Sequence, residues 1–186
     1  MAQFYTELPT QLQEFIRQQK MFFVATAAPD GRINLSPKGR DSLRVLGANR
    51  VAWLNLTGSG NETAAHLLEK NRMTLMFCAF EGPELILRLY GPAKIVHPRD
   101  ATWAELFPLF PPSAGARQIF DMNVDSAQTS CGLAVPLFEF KGQRDGLKRW
   151  AESKGEEGLR AYWQGKNQIS IDGKPTEIIA KEPATA

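Results

Sequence analysis

The 186-residue chain is poor in the residues that signal metal, disulfide or secretory chemistry. Two cysteines, Cys78 and Cys131, are too few for the disulfide framework that compensates a small core in secreted mini-domains. Two histidines, His66 and His97, have no second His or Cys at ligand spacing, which argues against a zinc or redox-metal centre. Neither sign of charge dominates: 22 basic and 20 acidic residues leave +2, far from a nucleic-acid-binding tail or an acidic solvating segment. Long apolar runs are missing as well. Met21 to Ala28 is only a strand long, and Met1 to Lys20 lacks the basic-then-apolar order of a signal peptide. These absences predict a soluble, cytoplasmic globular protein with neither nucleic-acid nor membrane partners.

What is present is a change of hydrophobic period along the chain. Leu12, Phe15 and Ile16 fall at helical spacing behind Thr10, a plausible N-cap. Period two follows. Met21–Ala27 and Arg32–Ser36 read as a hairpin around Pro29-Asp30-Gly31, with Ile33 and Leu35 on one face. Leu43–Leu46 and Val51–Leu56 read as a second. Glu62–Lys70 is helical by its Ala64, Ala65, Leu67, Leu68 pattern. Met73–Phe80, Leu85–Tyr90 and Ala93–Val96 read as strands, Trp103–Leu106 as a short helix, and Ile119–Gln128 and Ala134–Phe140 as further strands. Towards the end, Leu147, Trp150 and Ala151 form one helical stripe and Leu159, Tyr162 and Trp163 another; the last dozen residues lack periodicity and are expected to trail away. Hairpin-length connections with one inserted helix indicate an antiparallel barrel or sandwich, not a βαβ sheet. The partition expected is a barrel with its N-terminal helix over residues 1–140, and a helical appendage over 141–186 packed on it.

The candidate chemistry is phosphate binding. Ser36-Pro37-Lys38-Gly39 ends a strand, with Arg40 and Arg44 close behind. Thr57-Gly58-Ser59-Gly60-Asn61 leads straight into a helix N-terminus, where unpaired backbone N–H groups, the helix dipole and the Thr63 hydroxyl suit an anion. The plainer reading is that Gly58 and Gly60 turn the chain, Asn61 caps the helix and Lys38 is solvated. Pattern alone leaves both open. Neither a Walker A loop nor a dinucleotide fingerprint fits. Cys131 lacks any nucleophile signature and reads as a small residue in a tight turn.

Three segments resemble the flavin-binding split barrels related to pyridoxamine 5′-phosphate oxidase. They are Ile33-Asn34-Leu35-Ser36-Pro37-Lys38-Gly39; Val51-Ala52-Trp53-Leu54-Asn55-Leu56 with its Gly-rich loop and helix; and Asn71-Arg72-Met73-Thr74-Leu75-Met76-Phe77 running into Leu85, Arg88, Tyr90 and Gly91-Pro92-Ala93. Ser130-Cys131-Gly132 with Val135-Pro136 is similar to an uncharacterised branch of the same superfamily. The resemblance implies a six-stranded antiparallel split barrel, α+β in class with flanking helices. It also implies a homodimer with FMN in a groove between the subunits. It places Lys38 as the basic strand residue for the flavin phosphate, flanked by Ser36. Trp53, Leu54 and Asn55 lie on the strand beside the flavin, Asn61 and Thr63 at the phosphate-binding helix start, and Ser130 in a turn near the ring.

One match departs from the pattern. Oxidases of the family resemble Ser-Arg-Lys where this chain has Asn61-Glu62-Thr63. Two positive charges are lost and one negative charge is gained beside a dianion, each change worth on the order of a few kcal/mol before screening. Glu62 must therefore point away, or the ligand binds weakly or is another; Arg40 or Arg44 could restore the charge. The C-terminal Arg-x-His substrate motif has no counterpart in residues 141–186, which predicts no true vitamer oxidase. Expected instead is an FMN-dependent oxidoreductase of unknown substrate, with Ser130-Cys131-Gly132 shaping a smaller, less charged pocket. The alternatives are a non-enzymatic binder of flavin or haem, for which His66 is a poor axial ligand, and a deazaflavin-dependent reductase using the Arg40–Arg44 run.

Overall fold

A computed structural model of the chain describes residues 2–180. It is an α+β split barrel of two antiparallel sheets. The six-stranded sheet runs β1-β10-β7-β6-β2-β3, where β1 is Gln3–Tyr5, β2 Phe22–Thr26, β3 Asn34–Lys38, β6 Met73–Cys78, β7 Ile86–Gly91 and β10 Ser126–Ser130. The four-stranded sheet runs β4-β5-β9-β8, with β4 at Leu43–Gly47, β5 at Arg50–Leu56, β8 at Ala93–Val96 and β9 at Ala116–Asn123. Four α-helices flank them: α1 (Thr10–Gln18), α2 (Glu62–Glu69), α3 (Ala101–Leu106) and α4 (Gly146–Lys166).

Alternation fills the core. Phe22 and Val24 of β2, Leu75 and Phe77 of β6, and Leu87 and Leu89 of β7 point inward, with Trp53 stacked on Phe120 at 4.6 Å between ring centroids. β5 is buried on both faces: Val51 and Trp53 face this core, while Ala52 and Leu54 meet Val96, Leu106, Phe110 and Ile119 under α3. A strand covered on both sides reads as a continuous apolar run, as Val51–Leu54 does. Truncating an aromatic at its centre, Trp53→Ala, is expected to cost about 3–5 kcal/mol.

Several boundaries differ from the sequence expectation. The returning strand β3 is shifted two residues C-terminally and pairs Phe22 with Lys38, so Lys38 is a strand residue. Ile33 and Leu35 do share a face, but it is the outward one, 78% and 64% exposed. Thr10 is the first residue of α1, and the N-cap is Pro9. Ile119–Gln128 is not one strand: β9 and β10 belong to different sheets, and the chain crosses at Val124-Asp125, where Val124 N–H donates to Asn49 O and Asp125 N–H to Tyr90 O. Gly91 is required there, because a Cβ would collide with the Asn123 carbonyl. Ala134–Phe140 forms no strand; it is a loop tied by Phe138 N–H to Phe80 O at 2.9 Å. The two C-terminal stripes lie on α4, interrupted at Gly155 by a positive φ of 62°. Finally, Thr176 and Ile178 are buried, so the chain does not trail away there; residues 181–186 of the expected tail lie outside the described residues.

Candidate functional site

Period two places Asn34, Ser36 and Lys38 on the face of β3 opposite to Ile33, Leu35 and Pro37. That face borders a cleft of about 260 Å³, which Asn55 at the end of β5, the loop Gly58–Asn61, Thr63 at the start of α2 and Arg117 of β9 complete. The cleft therefore joins an edge strand of one sheet, two strands of the other and a helix N-terminus.

Its charges are unbalanced. Lys38 and Arg117 make no ion pair among the described residues. Burial, and secondarily the Arg117 charge, push the Lys38 ammonium down to about 8. Burial likewise lowers Arg117 to about 10, opposed by Tyr162, and it stays protonated at neutral pH. The Lys38 Nζ sits 5.2 Å from the Trp53 ring centroid, a cation–π contact of about 0.5–2 kcal/mol. Arg117 Nη1 donates to Gly60 O at 3.0 Å and Asn167 Oδ1 at 2.8 Å, both neutral acceptors, and Arg117 Nε has no partner.

Polar atoms are orphaned in the same place. Asn61 is the N-cap of α2, yet its side chain makes no capping bond, and its buried Oδ1 and Nδ2 have no partner. Gln118 Nε2, behind Asn55, is also unsatisfied, while Gln118 Oε1 accepts from Asn55 Nδ2 at 3.3 Å. Each such group costs about 1–3 kcal/mol when left buried and unmade. Buried Arg117, half-buried Lys38, unpaired donors and a helix N-terminus form a donor set that fits a phosphate monoester.

The expected residues divide into two groups. Ser36, Lys38, Asn55, Asn61 and Thr63 line the cleft together, and Thr63 Oγ1 accepts from Asn34 Nδ2 at 3.2 Å. Trp53 lies beneath Lys38 within the core, and Leu54 faces the second cluster. Arg44 is not in the cleft: it lines a different cavity, bonded to Asp41 at 2.7 Å and Leu109 O at 2.6 Å. Arg40 donates to Arg144 O, also away from the cleft. Ser130 Oγ accepts from Arg88 Nη1 at 3.1 Å, and Gly132 admits a close approach by the Glu84–Leu85 backbone, not a ligand pocket. Glu62 borders the cleft, but its carboxylate accepts the Ile171 N–H at 3.1 and 3.2 Å, turned to the C-terminal segment. His66 is buried, with Nδ1 3.1 Å from Thr26 Oγ1, and does not line the cleft.

Arg117 was not anticipated from the sequence. The available signal was Arg117-Gln118, two polar residues directly ahead of the apolar pair Ile119-Phe120. Their burial is set by the pairing of β9 with β5, which brings Gln118 opposite Asn55.

Beyond Lys38 lies a larger groove of about 700 Å³, walled by Met21, Phe80, Phe138, Phe140 and Leu147. Lys38 borders both spaces.

The family model described as pyridoxamine 5′-phosphate oxidase matches residues 8–131, two thirds of the chain. The chain belongs to the pyridoxamine 5′-phosphate oxidase family. Within that family it is 34% identical to the pyridoxamine 5′-phosphate oxidase family protein ustO of Aspergillus flavus, over 92% of this chain and 76% of that protein. Two solved structures share the fold at a TM-score of 0.51. One is a candidate pyridoxamine 5′-phosphate oxidase of Lactobacillus delbrueckii, 17% identical, covering 66% of this chain and 94% of that one. The other is a variant of HupZ from Group A Streptococcus, 16% identical, covering 66% and 99%. At the helix start this family member has Asn61-Glu62-Thr63, and Arg117, from the neighbouring sheet, stands among the cleft's charges. No helix among the described residues is long and apolar enough to cross a membrane.

Proposed function

We propose that the chain is an FMN-binding oxidoreductase whose cleft holds the flavin phosphate and whose groove holds the ring. The observation that carries this reading is half-buried Lys38 and buried Arg117, neither with an ion-pair partner among the described residues, beside the orphaned side chain of Asn61. Lys38 supplies a point charge, Arg117 a free Nε–H, Asn61 and Ser36 polar contacts, and the start of α2 its dipole. Past Lys38, the ligand body meets the apolar wall of Phe80, Phe138 and Phe140. Bound flavin would supply the hydride or electron transfer, so no side chain need act as acid or base. Arg40 and Arg44 are bonded elsewhere, which favours FMN over a deazaflavin with a longer polyanionic tail.

The working unit of this reading is a homodimer. β3 is an edge strand whose outward Ile33 and Leu35 are exposed, a surface that a second copy would cover. Sedimentation of the flavin-loaded protein should give a dimer; a monomer at micromolar concentration overturns the shared groove.

The test of function is a spectrum followed by reduction. The purified, FMN-loaded protein should show flavin absorption, and anaerobic stopped-flow should show faster bleaching by NADH or NADPH than by pyridoxamine 5′-phosphate. Fast bleaching by the vitamer overturns the substrate assignment. A bare or Soret spectrum after loading overturns the flavin reading.

A further inference from the structure

We infer that Asn167, just past the end of α4 and outside the stretch matched to the family, is a positioning residue that builds the phosphate cleft from behind; this rests on the FMN reading. Asn167 is fully buried and does not line the cleft, yet it touches two of the elements that do. Its Oδ1 accepts from Arg117 Nη1 at 2.8 Å. Its Nδ2 donates to Gly58 O at 3.1 Å and Ser59 O at 3.5 Å. Its backbone is clamped as well: the N–H donates to Trp163 O at 3.0 Å, and the carbonyl accepts from Thr176 Oγ1 at 2.5 Å.

Three consecutive carbonyls of the Gly-rich loop are thereby engaged, Gly58 and Ser59 by Asn167 and Gly60 by Arg117. In a trans peptide the N–H points opposite to the carbonyl, so the N–H groups of Ser59, Gly60 and Asn61 face away from these partners and are left for an anion. Asn167 also aims Arg117 without neutralising it. Nη1 is occupied by two neutral oxygens, and the guanidinium keeps its full charge and an unpartnered Nε. An aspartate of the same shape would accept the same bond but cancel that charge, and it would lose both donor contacts to the loop. An amide meets both demands.

The rest of the back wall is polar and local. Trp163 Nε1 donates to Thr57 Oγ1 at 2.9 Å, and Thr57 Oγ1 donates to Gly115 O at 2.8 Å. These bonds hold the base of the loop but touch neither Arg117 nor the three carbonyls, so they separate a positioning role from a general stabilising one.

The readout is the ratio of FMN to riboflavin affinity by fluorescence titration, because the two ligands differ only in the phosphate. Wild type should prefer FMN. Asn167→Ala should lower that ratio about tenfold, the equivalent of one charge-assisted bond. Asn167→Asp, the isosteric variant, should lower it at least as much. Riboflavin affinity should stay unchanged in both and reports an intact groove, and Trp163→Phe should retain the wild-type ratio. If either Asn167 variant binds riboflavin normally and keeps the wild-type ratio, the inference is overturned. It is overturned equally if Trp163→Phe lowers the ratio as much as Asn167→Asp does. A wild-type protein without preference for FMN is a different result: it removes the phosphate reading itself.

Discussion

Two clusters of charge meet the C-terminal segment, an outer one at Asp172 and Lys174 and an inner one at Asn167, and are built on opposite terms. On the outer side, Lys174 is paired with Asp30 at 2.6 Å and Glu69 at 2.7 Å, and Arg32 with Asp172. Every cation there has a carboxylate. On the inner side, Arg117 is buried and Lys38 half-buried, and neither has one among the described residues. Folding alone would favour the reverse, since an unpaired charge costs more the further it lies from water. The outer seam fastens residues 168–178 to the first hairpin and to α2. The inner pair is held apart from counter-charge at a cost to stability, an arrangement that supports the proposed phosphate site.

The sharpest way to break this contrast is to remove the inner guanidinium. Arg117→Met should weaken FMN binding by about 100-fold or more, since a charge-assisted contact worth about 1.5–3 kcal/mol is lost together with the bond that fixes the Gly60 carbonyl. Riboflavin titration should change little, and an unaltered FMN dissociation constant would show that Arg117 is a structural residue.

Lys38→Ala comes next. Loss of one such contact predicts a 10- to 150-fold weaker FMN complex, roughly. If affinity holds while the barrel remains folded, the phosphate lies elsewhere.

A pH titration sharpens the same point. Lys38 in the free protein loses its proton near 8, whereas a phosphate monoester gains its second charge near a pH of about 6. FMN affinity should therefore be greatest between these values and fall as pH rises through about 8, and Lys38→Ala should lack the alkaline limb. Stability of the ligand-free protein should move the other way. The folded-state value lies below the ordinary 10.5, so between 8 and 10.5 the unfolded chain binds more protons and stability rises with pH. Urea midpoints at pH 7.5 and about 10 check the sign.

The smallest effect is expected at the outer seam. Lys174→Ala or Asp172→Asn should lower the urea midpoint slightly and leave the FMN dissociation constant within about twofold, because exposed pairs contribute little. The Lys174 partner holds the Asp30 carboxyl below its ordinary 3.8, and the Arg32 N–H does the same for Asp172. The seam's contribution is thus present above that value and lost on further acidification.

Much of the cleft was legible in the sequence because it is local. Period two put Ser36 and Lys38 on one face of a strand, and a Gly-rich loop running into Asn61 and Thr63 marked the helix start. Which face looked inward was not legible: Ile33 and Leu35 share a face, and at the edge of the sheet that face is exposed. The C-terminal helix was visible as stripes, but its contacts were not. The two-residue shift in the bounds of β3 changed no face and only brought Lys38 into the strand, opposite Phe22.

The chain by itself thus determined the antiparallel barrel, the Gly-rich loop running into a helix start and the absence of two charges at residues 61–63, for these depend on periodicity and neighbours in sequence. Only the tertiary structure decided which charges gather in the cleft. Arg117 lies 79 residues from Lys38 and Asn167 a further 50 beyond. Strand pairing between β5 and β9 and the return of the C-terminal segment bring them together. Arg44, far nearer in sequence, is turned away by Asp41 and the Leu109 carbonyl. Electrostatic partnership depends on distance in space and on burial, and sequence separation carries neither.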